Sequence, residues 1–348
     1  MHPKKGAIAV LATLAIVNIA IWILAVAVFR NYALLAGTAG LAYTFGLRHA
    51  LDADHISAID NVTRKLMQEG KRPLLVGFFF SLGHSTIVVL LSIAIAMTAA
   101  RIQTDFPQMQ RVGGLIGTSV SAFFLLAIAG VNLLILRTVF RAFMRVKRGE
   151  SYDEQNIDEA MGQLGILGRI FRPIVRLVDR SWKMYFVGFL FGLGFDTATE
   201  IGVLGISAAA ATQGLPIWSI VIFPLLFTAG MCLVDTADGI LMLGAYGWAY
   251  VHPMRKLYYN MTITAVSVLI ATVVGGVEAL GIVSDQLDLH GRFWDLLNKV
   301  SDHFSVVGIV IVGIFIFAWI TSAICYRAFG YHRLELAGFP VRPFQQEQ

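Results

Sequence analysis

The chain has few cysteines and few charged residues. Only 2 of its 348 residues are cysteine, which excludes a disulfide framework and a thiolate-rich metal site. Charged residues make up 14% of the chain and hydrophobic residues 57%, with a mean hydropathy of +0.72. A soluble domain of this length needs far more charge to cover its surface, so the composition indicates an integral membrane protein.

Long apolar runs are frequent instead. Eight of them are long enough to cross a hydrocarbon layer of roughly 30 Å. The predicted spans are 6–29, 33–58, 73–99, 112–136, 183–211, 216–247, 259–283 and 304–328. The first run is too long for the apolar region of a signal peptide, so it is also predicted to be a span. We therefore expect an all-α integral membrane protein with about eight transmembrane helices, forming a single transmembrane domain over residues 1–348.

Lysine and arginine are distributed unevenly between the two sides of the predicted bundle. With a cytoplasmic N-terminus, 21 of the 27 basic residues lie on the cytoplasmic side and five on the opposite side. This split follows the positive-inside rule and predicts that both termini are cytoplasmic. Because the net charge of +5 arises from loops on one side of a membrane, it does not indicate nucleic-acid binding. We expect a multi-pass protein of the cytoplasmic (inner) membrane, surrounded by lipid.

The longest loop, residues 137–182, connects the fourth and fifth spans and is predicted to be cytoplasmic. In its second half, Ile166, Ile170 and Ile174 are interleaved with arginines at helical spacing. Such an amphipathic helix suits the inner leaflet, where apolar side chains enter the bilayer and arginines meet anionic head groups. A helix packed beneath the bundle would show the same pattern, and both readings stay open.

Ionisable side chains are concentrated in four of the predicted spans. An ionisable group at membrane depth is costly, and it usually faces a cavity and has a function. The clusters are RHALDADH (48–55) in the second span, LGHST (82–86) in the third, GFDTATE (194–200) in the fifth and DTADG (235–239) in the sixth.

The second-span cluster has the composition of a transition-metal site. Its His49, Asp52, Asp54 and His55 are four ionisable groups within seven residues, which is too costly for packing alone. Imidazole with carboxylate suits nickel, cobalt, copper(II) or zinc, and the lack of thiolate argues against copper(I). On a regular helix His49, Asp52 and His55 cover an arc of about 120° and face one cavity. Asp54 faces away from them, so it either pairs with a neighbouring helix or lies where the helix is distorted.

The remaining polar residues allow more than one interpretation. His84 is either a further ligand or an interhelical hydrogen-bonding residue, and Arg48 could neutralise a carboxylate of the empty site. Four acids are expected to compensate the charge of a bound cation: Asp196, Glu200, Asp235 and Asp238. For the last two, a buried charge network with Arg48 is the alternative.

These motifs together carry a family resemblance. The run RHALDADHI (48–56) resembles the signature of the nickel/cobalt transporter family, in which the pattern HxxxxDH on the second helix is essential for uptake. LGHSTIV (82–88), LGFDTATEI (193–201) and GMCLVDTADG (230–239) are similar to three further motifs of that family. The resemblance assigns His49, Asp54 and His55 to the essential pattern and Asp52 to the acid between them.

The resemblance implies a single-component secondary permease for high-affinity uptake of Ni²⁺ and/or Co²⁺. It implies no prosthetic group and no ATPase subunit, with the metal ion as substrate. An efflux permease is one alternative, although the related exporters tend to carry a histidine-rich loop and residues 137–182 contain no histidine. An intramembrane His/Asp metalloenzyme is less favoured, because only three histidines lie in the predicted spans and no HExxH motif occurs. A carrier of an organic cation would need an aromatic cage near the acids.

A short internal similarity suggests an inverted repeat. The triplet Phe-Gly-Leu occurs at 45–47 and at 191–193, before the second-span and fifth-span clusters. Aligning the triplets places Asp54 opposite Glu200. Since the two spans are predicted to run in opposite directions, they could be related halves around a midplane site, as in many transporters. Chance remains the competing explanation for so short a match.

Overall fold

A computed structural model describes residues 3–30, 33–147, 178–194, 197–213, 215–249 and 253–328. Within these ranges the regular structure is helical, and no strand occurs among them. The helices are α1 (Pro3–Phe29), α2 (Ala33–His49), α3 (Ala53–Gln68), α4 (Val76–Lys147), α5 (Met184–Phe191), α6 (Ala198–Thr212), α7 (Ile217–Ile220), α8 (Ile222–Ala249), α9 (Pro253–Leu287), α10 (Arg292–Asp302) and α11 (Phe304–Ala328). A 3₁₀ turn, Ser181–Lys183, precedes α5.

Several of these helices are long and apolar enough to cross a membrane. Among the described residues, five candidate spans are continuous: Lys5–Phe29, Val76–Met97, Arg111–Arg141, Ile217–Gly244 and Met261–Leu287. A sixth results if α10 and α11, which meet at an angle of 75°, form one bent span. In α1, side chains such as Ile16 and Ile23 are 67% and 64% exposed, which suits contact with lipid rather than water. The prediction of an all-helical, multi-pass membrane protein is confirmed, with five or six candidate spans among the described residues.

Helix α4 contains two of the candidate spans and folds back on itself between them. The rings of Phe80 and Phe124 both pack against the ring of Phe191, at centroid distances of 5.2 and 5.8 Å. In a straight helix, Phe80 and Phe124 would be roughly 66 Å apart at 1.5 Å per residue. The chain therefore returns within α4, and its two spans correspond to the predicted third and fourth spans.

The predicted second and fifth spans are each interrupted. The second is divided between α2 and α3, and the fifth between α5 and α6. At both breaks the first helix closes with a tight turn: Asp52 N donates to the His49 carbonyl at 3.0 Å, and Gly194 N donates to the Phe191 carbonyl at 2.9 Å. Both breaks fall inside the polar clusters, so the interruptions bring these side chains and helix ends together.

A glycine of α11 packs directly against the first break. A Cβ atom added at Gly308 would lie 1.6 Å from the carbonyl oxygen of Leu51, so only glycine permits this approach. One turn earlier in α11, Ser305 Oγ donates a hydrogen bond to a carboxylate oxygen of Asp52. The start of α11 therefore supports the chain where α2 ends and α3 begins.

Helix α3 extends further than the predicted second span. It continues to Gln68 rather than ending at 58, and its second half is buried against α4, α9 and α11. Arg64 is one of the 21 basic residues assigned to the cytoplasmic side because it follows the predicted second span, and it is only 1% exposed. Without Arg64 the number of basic residues on the cytoplasmic side falls from 21 to 20, against five on the opposite side. The excess on which the predicted orientation depends is therefore unchanged in sign.

The end of α3 lies beside the segment that leads into α5. Lys65 Nζ donates to the carbonyl of Val178 at 2.6 Å, and Lys71 Nζ donates to the carbonyl of Asp179 at 2.7 Å. The end of the interrupted second span and the start of the fifth are therefore on the same side of the bundle. Most of the predicted amphipathic loop, residues 148–177, lies outside the described residues, so its helix stays a prediction.

The buried apolar side chains form two large clusters on either side of the polar residues. One consists mainly of residues from α3, α4, α5, α9 and α11, with Met242 of α8, and the other mainly of residues from α1, α2, α6, α7 and α8, with Val88 of α4. Rings of both clusters contact the histidines: Phe80 of the first lies 4.8 Å from the ring of His55, and Phe227 of the second lies 5.5 Å from that of His49. The polar site therefore lies between two apolar halves of the bundle.

Candidate metal site

Three histidines from different helical segments meet at the centre of the bundle. His49 ends α2, His55 lies in the first turn of α3, and His84 lies in the first half of α4. One ring nitrogen of each lies within 4.8 Å of those of the other two, and their residue exposures are 2%, 0% and 3%. Two nitrogens on one ion at about 2.1 Å are at most about 4.2 Å apart, so only a small contraction separates this arrangement from a coordination sphere.

Carboxylates orient two of the three imidazoles. His49 Nδ1 lies 3.1 Å from Asp52 Oδ2, and His55 Nδ1 lies 3.3 Å from Asp235 Oδ2. A metal-binding histidine commonly donates its other ring N–H to a carboxylate, which fixes its tautomer. In that arrangement Nε2 of each ring is left to bind an ion. Within the described part of the chain, the buried Nε2 of His55 has no hydrogen-bond partner.

The third imidazole is held by an acid of α6. His84 Nε2 lies 2.8 Å from Glu200 Oε1 and 3.0 Å from His49 Nε2. Glu200 Oε1 is also 3.8 Å from His49 Nε2, so this carboxylate reaches two of the three histidines. Glu200 was expected to compensate the charge of a bound cation, and the structure places it in direct contact with the imidazoles.

Local sequence explains why Glu200 lies there. Thr197 is the N-cap of α6, and its Oγ1 accepts a hydrogen bond from the Glu200 backbone N. The same hydroxyl donates to Glu200 Oε2 at 2.7 Å. Residues Thr197 to Glu200 read TATE, which matches the S/T-x-x-E capping box that starts helices. The capping pattern was the signal in the sequence for a helix start, and hence for the break in the fifth span.

Two helix N-termini converge on the site, each with acids in its first turn. Asp52 is the N-cap of α3, and Asp54 lies in the first turn of the same helix. Glu200 occupies the first turn of α6. A helix N-terminus carries a partial positive charge of about +0.5, which disfavours a nearby cation. The acids offset these partial charges and leave the site with a net preference for a cation.

The break in the second span also explains the position of Asp54. On a regular helix Asp54 would face away from His49 and His55, but α3 begins a new helix at Ala53. Asp54 Oδ1 accepts from the backbone N of His55 at 2.9 Å, and Asp54 lines the same cavity as His49. Of the two alternatives for this residue, the distorted helix is the one observed.

A cavity of about 380 Å³ adjoins the histidines. Its wall includes residues of the candidate site that come from α2, α3, α4 and α6. They are Arg48, His49, Asp52, Asp54, His84 and Glu200. Other lining residues come from the second half of α4, from α9 and from the junction of α10 and α11, among them Thr118, Ser121, Glu278 and Ser301.

The acids of α8 occupy different positions. Asp235 accepts from Ser81 Oγ at 2.6 Å and faces His55, while Arg48 lines the cavity. These contacts join Asp235 to Ser81 and His55, and the alternative of a network with Arg48 stays a prediction. Asp238 has a buried carboxylate oxygen without a hydrogen-bond partner among the described residues. Asp196 lies outside the described residues, and its role stays a prediction.

A row of polar residues along α3 was missed by the sequence reasoning. Asp60, Asn61 and Arg64 are 0%, 0% and 1% exposed and follow the histidines toward the end of α3. The Arg64 guanidinium donates to Asn61 Oδ1 at 2.9 Å and to Thr264 Oγ1 of α9 at 3.0 Å. Asn132 of α4 donates to the same Asn61 oxygen at 2.6 Å. The spacing of polar residues at 57, 60, 61 and 64 was the available signal, because these positions share one face of a helix.

Fold and site together define a class: a multi-pass membrane protein with a buried cluster of histidines and carboxylates at interrupted helices. Comparison with known proteins identifies the family. The model of a family described as "High-affinity nickel-transport protein" matches residues 35–325. The chain therefore belongs to this family, and the resemblance read from its motifs is confirmed.

Individual relatives cover nearly the whole chain. A "High-affinity nickel transport protein" of Cupriavidus necator is 54% identical over 326 residues, which is 94% of this chain and 93% of the relative. A "High-affinity nickel-transport protein NixA" of Helicobacter pylori is 41% identical, covering 87% of this chain and 92% of the relative. The "Cobalt transport protein NhlF" of Rhodococcus rhodochrous is 38% identical, covering 84% and 83%.

The names of these relatives describe transporters, which confirms the prediction of a transporter rather than an enzyme. No solved structure matches the chain.

Proposed function

We propose that the protein is a secondary permease of the cytoplasmic membrane that carries Ni²⁺ or Co²⁺ into the cell. The observation that carries this proposal is the group of three buried imidazoles, His49, His55 and His84, with Glu200 in contact with His84. Three nitrogens and a carboxylate oxygen suit a borderline divalent cation. The named activities of relatives that cover most of the chain support nickel and cobalt as the substrates.

Eight spans can be assembled from the described helices. Five candidate spans are continuous, and α10 with α11 supplies a sixth. Counting α2 with α3, and α5 with α6, as two interrupted spans brings the total to eight. Interrupted helices with half-helix ends at the substrate are a recurring design of secondary transporters. Together with the uneven distribution of basic residues, an even number of spans supports a cytoplasmic position for both termini.

In this arrangement the cavity gives access from outside the cell. Thr118 lies near the predicted outer end of the fourth span, Glu278 near that of the seventh and Ser301 near that of the eighth, and all three line the cavity. Toward the cytoplasm, the buried side chains of Asn61, Asn132 and Arg64 fill the space between α3, α4 and α9. These positions support a state of the proposed permease that receives metal from outside.

The membrane potential can drive uptake. Moving one elementary charge through 100 mV is worth about 2.3 kcal/mol, so a divalent ion gains roughly 4.6 kcal/mol on entering a cell with a negative interior. This free energy is available without hydrolysis of ATP, and the proposal needs neither an ATPase subunit nor a prosthetic group.

Uptake of radioactive nickel and cobalt at nanomolar concentration tests the proposal. Cells that produce the chain should accumulate metal, and the His49→Ala and His55→Ala variants should not. The matched control is His290→Ala, because the side chain of His290 is 80% exposed and lies in the connection between α9 and α10. The ratio of the two accumulated metals gives the selectivity. Metal loss from preloaded cells would establish efflux instead, and equal accumulation by wild type and the two site variants would refute the site.

A further inference from the structure

Glu278 is a buried carboxylate that the histidine cluster does not use. It lies in the candidate span Met261–Leu287 of α9 and is 6% exposed. Both of its carboxylate oxygens lie within hydrogen-bond distance of Ser121 Oγ in α4, at 2.9 and 2.8 Å. An acid at membrane depth is costly and is usually kept for a function.

The cavity connects Glu278 to the candidate metal site. Glu278, Ser121 and Thr118 line the same space of about 380 Å³ as His84 and Glu200. An ion in this cavity meets oxygen atoms on the wall formed by α9 and the second half of α4. It meets imidazole nitrogens on the wall formed by α2 and the first half of α4.

We propose that Glu278, with the hydroxyls of Ser121 and Thr118, forms a capture site that binds the divalent cation before it reaches the histidines. This inference rests on the proposed function, since it takes the metal ion as cargo. Oxygen ligands attract divalent cations without demanding the loss of all bound water. Such a site therefore holds Mg²⁺ as well as Ni²⁺ or Co²⁺, and discrimination follows at the imidazoles, which favour the transition metals.

The kinetics of uptake distinguish capture from later steps. Glu278→Gln keeps the shape of the side chain and removes its charge, so the concentration for half-saturation by nickel should rise about tenfold or more. The rate at saturating nickel should stay within about twofold, since the histidine cluster is unchanged. Glu278→Asp should retain most of the affinity.

A charge-matched control separates a local effect from a general one. Asp285 lies two turns further along α9, is exposed and does not line the cavity. Asp285→Asn removes one negative charge from the same helix and should leave the half-saturation concentration unchanged. If Asp285→Asn and Glu278→Gln have equal effects, Glu278 acts only through the general potential of this surface, and the capture site is refuted.

Competition by magnesium provides a second readout that a purely structural role would not change. In the wild type, millimolar Mg²⁺ should inhibit nickel uptake competitively because it occupies the oxygen site. In Glu278→Gln this inhibition should largely disappear.

Two outcomes would overturn the inference. One is that Glu278→Gln changes neither the half-saturation concentration nor the inhibition by magnesium. The other is that both Glu278→Gln and Glu278→Asp lose the uptake rate at saturating nickel. The wild-type protein is measured in the same assay to test the proposed function separately. If the wild type takes up no nickel, transport itself is refuted, whatever the Glu278 variants do.

Discussion

The contact between Gly308 and the break in the second span makes a quantitative prediction. A Cβ atom at position 308 would lie 1.6 Å from the Leu51 carbonyl oxygen, which belongs to the backbone and cannot rotate away. A contact of 3.0 Å therefore requires α11 and the break to separate by about 1.4 Å. Overpacking of this kind typically costs about 1–3 kcal/mol.

The displacement falls where the candidate ligands are positioned. Asp52 follows Leu51 directly, and Ser305 of α11 donates to its carboxylate. Since misplacement of reacting or binding groups by about 1 Å can cost roughly 100-fold, we expect Gly308→Ala to lower nickel uptake by about two orders of magnitude. The folded protein should still insert in the membrane, with a lower melting temperature in detergent.

A second glycine of the same helix serves as the control. A Cβ atom at Gly313 would meet nothing within 4 Å, so Gly313→Ala should leave uptake intact. It should even stabilise the helix by about 0.5–1 kcal/mol, because alanine loses less conformational entropy than glycine. The two variants are compared by initial uptake rate, protein abundance in membranes and melting temperature. Wild-type uptake by Gly308→Ala would refute the argument that this contact positions the site.

Two further predictions concern residues around the histidines. Asp235→Asn should raise the half-saturation concentration for nickel about 10- to 100-fold, because the carboxylate orients His55, and kinetics at wild-type affinity would contradict that role. Arg64→Met should lower the melting temperature less than Arg64→Ala does, because both variants remove the donor to Asn61 and Thr264 but the methionine side chain still fills much of the buried space. A melting temperature for Arg64→Met as low as that of Arg64→Ala, which leaves a cavity, would show that the charge itself stabilises the fold.

Much of this architecture could be predicted from the sequence because membrane spans are long and the site is unusually polar. The apolar runs indicated the continuous spans, and the four clusters of ionisable residues indicated the candidate ligands. The chemistry of His49 and His55 in the second span needed no knowledge of the fold. Both predictions depend on residue composition and on the free-energy cost of placing ionisable groups in a membrane, and both can be read directly from the sequence.

The helix breaks could not be predicted from hydropathy, because a window average does not register an interruption of a few residues. Regular helical geometry left two alternatives for Asp54, and only the start of α3 at Ala53 decides between them. Glu200 was expected to compensate the charge of a bound cation, but its contact with His84 could not be predicted because it depends on the packing of α6 against α4. That packing is a tertiary property with no local signature.

Asp54 and Glu200, which the Phe-Gly-Leu alignment places opposite each other, both lie in the first turn of a half-helix. The two half-helices also begin within one aligned position of each other, at Ala53 and Ala198. The inverted repeat remains a prediction, and these positions support it. The preceding helices end at positions that do not correspond, so the similarity does not extend through both breaks.

The buried guanidinium of Arg64 has a consequence for the energy supply of the cell. Its fixed positive charge lies among buried side chains that fill the space toward the cytoplasm, and while that space is closed the charge repels protons and metal ions alike. Arg64 lies nine residues beyond His55 on α3, roughly 13.5 Å along the helix, between the candidate site and the end of that helix. In this closed state, many copies of the protein in one membrane would leave the proton gradient intact, and with it the voltage that draws the metal in.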